Sequence, residues 1–112
     1  MKNELDQVVR PVKKEIFLFI TSLAGTSEIK DDQGLWDLMP EAPLLLHRDM
    51  NNKYAISVFT EDHKHLGYIP RKDNKILARL MDAGKHLYAK EYVALNMIDY
   101  WEVRIEVYML DY

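Results

Sequence analysis

The sequence predicts a mostly β, α+β domain: a small bent antiparallel sheet closing into an OB-like or SH3-like barrel, with one inserted α-helix. Five or six runs rich in β-branched and aromatic residues are separated by short turn-forming stretches. One segment, "RKDNKILARLMDAGK", changes its apolar period from two to about four. The last run, "YWEVRIEVYML", alternates Trp101, Val103, Ile105, Val107 and Met109 with Glu102, Arg104, Glu106 and Tyr108, the pattern of a strand with one wet face. An open sheet packed on one helix is the competing architecture.

Taken in order, residues 1–14 read as a lead-in that Pro11 keeps from being a long helix, and residues 15–112 as a single domain. "EIFLFITSLAG" from Glu15 is the first strand. "TSEIKDDQGLWDLMPEAP" is a loop with one helical turn around Leu35 to Leu38, where Trp36 and Leu38 act as lids on the core. "PLLLHR" and "YAISVFT" are strands joined by the turn "DMNN", and "EDHKH" leads into "LGYIP", which Pro70 stops. Asp73 or Asn74 is predicted to cap the helix. Ile76, Leu77, Leu80 and Met81 share its apolar face, and Gly84 supplies a left-handed C-cap. "HLYAKEYVALNMI" and "YWEVRIEVYML" complete the sheet.

A chain of 112 residues, 48% apolar and 29% charged, can bury one modest core. It has no cysteine, which excludes a disulfide framework, a thiolate zinc site and a cysteine nucleophile. The N-terminus fits neither a secretory signal nor a membrane span, so a cytoplasmic protein with no membrane partner is expected. The net charge of −3 argues against a general polyanion binder. The charge is uneven, however: residues 47–90 hold nine Lys or Arg against five Asp or Glu.

Catalytic constellations are absent. There is no P-loop, no G-x-S-x-G elbow and no H-E-x-x-H helix, so neither an enzyme nor a cofactor is expected. His63 and His65 lie on one side of an extended "HKH" and are the only candidates for a metal site, with solvated loop histidines as the alternative. The corner "HLGYIPRKDNK" is richer. Tyr68 offers a planar face, Arg71 a guanidinium fork, and Lys72 and Lys75 add charge beside a helix N-terminus. Tyr68 and Arg71 are expected to project side by side into one positive hollow, a stacking platform with an electrostatic rim of the kind that unpaired nucleic acid requires. The alternative is a core-covering tyrosine with solvated lysines.

"LLLHRDMNNKYAISVF" followed by "HLGYIPRKDNKILARLMDAGK" resembles the HIRAN domain, and the likeness extends over residues 15–111. The resemblance implies a β-barrel related to the oligonucleotide-binding fold that binds single-stranded DNA at a free 3′ end, in DNA repair or replication. It further implies that no helicase or nuclease domain is attached. Carried onto this sequence, the family's Arg-and-Asn turn gives Arg48, Asp49, Asn51 and Asn52. Its glycine corner gives Tyr68 and Arg71, and the opening of its last strand gives Trp101. Tyr68 and Trp101 would stack bases, Arg71 would contact phosphate, and Asn51 or Asn52 would bond the terminal sugar or base. The turn is shorter here than in the family, and Ser22 and Leu23 stand where DNA-binding members carry two aromatics. A weaker single-strand site, or a different ligand in the same groove, follows from that. The main expectation is thus a non-catalytic single-stranded DNA-binding module. The alternative is a protein-interaction or self-association module, a homo-oligomer among its forms, whose DNA-end pocket has degenerated. A metal-dependent hydrolase resting on His63 and His65 is a third.

Overall fold

A computed structural model describes residues 14–111. The expected lead-in falls on residues outside that range except for Lys14, which already belongs to the sheet. Strand β1 (Lys14–Ser22) is followed by a 3-10 turn (Thr26–Glu28) and a one-turn helix α1 (Gln33–Trp36). Then come β2 (Pro43–Arg48), β3 (Ile56–Thr60), β4 (His65–Tyr68), helix α2 (Arg71–Asp82), β5 (His86–Asn96) and β6 (Trp101–Asp111).

All pairings are antiparallel, in the order β1-β6-β5-β2-β3-β4. The sheet curls so strongly that its two edges meet. Just past β1, Ala24 donates its N–H to the Tyr68 carbonyl at 2.8 Å and accepts the Tyr68 N–H at 2.9 Å. The result is a half-barrel fastened at one corner. Its inner face carries Leu44, Ile56, Val58, Leu66, Ala89, Val103, Ile105 and Val107, all fully buried, as the alternation in β6 foretold. Leu77 and Ala78 from α2 fill the open side.

Helix α2 starts earlier than the sequence suggests. Neither Asp73 nor Asn74 caps it: Pro70 precedes it and its carbonyl accepts the N–H groups of both, each at 3.0 Å. The Asp73 carboxylate is engaged elsewhere, accepting the buried Thr21 hydroxyl at 2.6 Å and tying α2 to the end of β1. The buried face is also rotated by part of a turn, so that Ala78 is enclosed while Ile76 is 58% exposed. At the other end the expectation holds. Gly84 has φ 91°, its N–H reaches the Met81 carbonyl, and the Lys85 N–H reaches that of Leu80, a Schellman pair.

Two further boundaries shift for local reasons. Tyr54 and Ala55 belong to the turn rather than to β3, because the Ala55 N–H bonds back to the Asn52 carbonyl. Strand β5 stops at Asn96, whose side-chain oxygen accepts the Ile98 N–H and starts the turn to β6. Trp36 is exposed and packs edge-on against Trp101 with centroids 4.9 Å apart, whereas Leu38 does pack against the core.

Candidate nucleic-acid interface

The loop between β2 and β3 is built around Arg48. Its Nε and Nη2 donate to the two carboxylate oxygens of Asp82, each at 3.0 Å, a fork-to-fork pair. Nη1 donates to the Asp49 and Ala55 carbonyls, and Nη2 also donates to that of Lys53. A guanidinium has five N–H donors, so none is left for a phosphate. Arg48 is therefore a brace for the loop and not the ligand contact that the sequence suggested. The hydrogen bonds donated to Asp82 hold the guanidinium above its ordinary pKa, and the same bonds hold the Asp82 carboxyl below its own.

The sign of that coupling can be measured. A carboxyl with a depressed folded pKa stabilises only while ionised: its contribution is full above the unfolded value and disappears as the pH falls through the folded one. Asp82→Asn should therefore lower the melting temperature by a few degrees at neutral pH, a modest effect because the carboxylate is 46% exposed. In thermal melts the gap between variant and wild type should narrow as the pH falls below the ordinary carboxylate range and Asp82 takes up its proton. A gap of constant size would contradict the assignment.

Asp49 is also committed to the loop, its Oδ1 accepting the Asn51 N–H at 3.0 Å. This bracing leaves the side chains of Asn51, Asn52 and Lys53 outward. It also brings the loop against the first turn of α2. Between them lies a hollow of about 370 Å³ lined by Asn52, Lys53, Tyr54, Arg71, Asn74 and Lys75, with no carboxylate among its lining residues. The Lys53 and Lys75 ammonium groups lie 5.4 and 5.7 Å from the centroid of the half-buried Tyr54 ring, so one aromatic ring organises both cations.

Of the residues singled out from the sequence, the hollow gathers Asn52, Arg71 and Lys75. Asn51 and Lys72 are exposed nearby in sequence but do not line it. Tyr68 and Arg71 do not share a hollow. The Tyr68 ring, 37% exposed, turns over Gly25 and meets His65 edge-on at 4.8 Å. It lines a separate hollow of mixed charge with Glu28, Lys30, Asp31 and His63. Pro70 separates the two side chains by starting the helix in a new direction. Trp101 lies apart from both, in a hollow with Asp32 and Trp36, its backbone held by the Thr26 hydroxyl. His63 and His65 do not form an extended pair. His63 has φ 66°, while His65 stacks on Phe59 at 5.0 Å. Among the described residues no group of three or more potential ligands is placed to hold a metal ion.

Lys53, Tyr54 and Asn74 were missed. The first two stand in "NNKYA", directly after the asparagines: Tyr54 reads as the start of a strand and Lys53 as the link to it. Only the folded loop shows that they turn toward α2. By contrast, a hollow beside Pro43, about 330 Å³, is rimmed by Asp37, Glu61 and Asp62 with Lys64, and a larger one, about 530 Å³, is lined by Leu45, Leu46, Phe59, His47 and His63.

These features define a mostly β, half-barrel domain with one main helix and a cationic hollow where that helix begins. The HIRAN domain profile matches residues 16–107, and the chain belongs to that family. A crystal structure of a Lactobacillus plantarum protein is similar, with a TM-score of 0.79 and 28% identity over 90% of this chain and 100% of that one. The HIRAN domain of human HLTF shares the fold, with a TM-score of 0.66 and 15% identity over 86% of this chain and 78% of that one. No curated protein gives a significant match. Among the described residues no helix is long and apolar enough to cross a membrane.

Proposed function

We propose that the protein is a non-catalytic module that binds single-stranded DNA, with the hollow between the Asp49–Ala55 loop and α2 as its site. The observation that carries this reading is the convergence of Lys53, Arg71 and Lys75 around the Tyr54 ring without an acidic neighbour in the lining. Arg71 presents its fork to a phosphate, the two lysines neutralise the next charge along the strand, and Asn52 and Asn74 bond sugar or base edges. Tyr54 is the apolar floor against which a base or sugar rests. The DNA 3′-end binding known in the HIRAN family supports the choice of ligand. The shortened turn and the non-aromatic residues Ser22 and Leu23 favour gripping the strand by its phosphates over enclosing its terminus.

The test is fluorescence anisotropy with a short labelled single strand, ended by 3′-hydroxyl or 3′-phosphate, across a salt series. Binding should weaken steeply with salt, because each neutralised phosphate releases counterions. It should differ little between the two ends. Tyr54→Ala should cost about 1–3 kcal/mol of binding, as expected for a lost aromatic contact, and Tyr68→Ala much less. Absence of binding at low salt, or a larger loss at Tyr68 than at Tyr54, would refute the proposed site.

A further inference from the structure

Strand β5 is covered on both sides for only part of its length. Strand β2 pairs with it at Tyr88, Ala89 and Lys90, and the Glu91 N–H still reaches the Ala42 carbonyl. Beyond that point β5 has β6 on one side and, among the described residues, no strand on the other. The Met97 N–H bonds to the Tyr100 carbonyl, so by alternation Val93 and Leu95 direct their amides toward β6. The amides and carbonyls of Ala94 and Asn96 therefore face the open edge.

Sheet edges in natural proteins are normally guarded by lysine, proline or an inward charge. Residues 92–98, "YVALNMI", contain no charged residue and no proline. Their side chains are unusually bare: Tyr92 is 52%, Leu95 53% and Ile98 95% exposed. Ile98 also holds a β-branched side chain at φ 79°.

We infer that two copies of the protein pair antiparallel along this edge, about a two-fold axis at Leu95. In that register Ala94 of each copy exchanges hydrogen bonds with Asn96 of the other. Leu95 then opposes its own copy and Val93 meets Met97, so exposed apolar groups cover one another. No like charges oppose each other between residues 92 and 98. The match ends at Glu91, whose edge the Ala42 carbonyl already covers. A second copy is thus the occupant that this edge fits, and the contact lies apart from the lining of the basic hollow.

The absence of native cysteine allows a direct test. Residues opposed in a non-hydrogen-bonded antiparallel pair have Cα atoms about 4.5 Å apart, within disulfide range. Leu95→Cys should oxidise to a covalent dimer at least about 10-fold faster than Ile76→Cys, an exposed position on α2. In light scattering the wild type should pass from monomer toward dimer between about 5 and 500 µM, a range typical of a weak interface. Leu95→Lys, with an unchanged melting temperature, should remain monomeric. A wild type that stays monomeric throughout, or a Leu95→Cys chain that cross-links no faster than the control, would overturn the inference.

Discussion

Arg71→Ala should weaken binding to single-stranded DNA about 10-fold at low salt and reduce the salt dependence as well. Each phosphate neutralised on a single strand contributes about −0.7 to the slope of log K against log salt. Three cations line the hollow, so the wild type should show a slope of about −2. Arg71→Ala should bring it to about −1.4, and the Arg71→Ala, Lys75→Ala double variant to about −0.7. Arg71→Lys separates charge from geometry: the slope should hold while affinity falls several-fold, because an ammonium cannot reproduce the bidentate fork. Both residues are exposed, so melting temperatures should not change. A double variant that binds with wild-type affinity and slope would remove the hollow from consideration.

Gly67→Ala should be strongly destabilising. A Cβ at position 67 would lie 2.8 Å from the Ala24 carbonyl oxygen and 3.4 Å from the side chains of Leu23 and Thr26. That oxygen accepts the Tyr68 N–H and cannot retreat without opening the bridge that fastens β1 to β4. Overpacking of this kind, with the loss of one or two hydrogen bonds, costs about 2–3 kcal/mol. For a domain of this size that is a fall of roughly 10 °C in melting temperature. Gly84→Ala is the useful comparison. It also forces an unfavourable backbone, φ 91°, but nothing lies within 4 Å of the added methyl, and about 1 kcal/mol is expected. If Gly67→Ala proved no worse than Gly84→Ala in denaturant titrations, the close approach would not constrain the fold.

Features governed by neighbouring residues could be read from the sequence. Gly84 had to end a helix, Pro70 had to end a strand, and the alternation of β6 had to face a core, because each signal is complete within a few residues. Features governed by distant partners could not. Arg48 resembles a ligand contact until Asp82, 34 positions away, is seen to occupy its fork. Asp73 resembles a helix cap until Thr21, 52 positions away, takes its carboxylate. In the site itself, the basic corner after Pro70 and the asparagine turn were both visible as local chemistry. Their meeting was not, since it depends on a loop braced from within by a single side chain. Tyr54 and Lys53 enter the site only through that bracing, while Tyr68 leaves it because the chain changes direction at Pro70.

The reciprocal amide pair between Ala24 and Tyr68 makes the sheet a cuff closed by one clasp. Tyr68 stands three residues before Arg71, and Thr21 holds Asp73 in the first turn, so the short stretch from Thr21 to Ala24 anchors the start of the helix twice. If the cuff loosens at its clasp, the cations at that helix start lose their fixed aim, so the mobility of the first strand sets how well prepared the hollow is for a ligand.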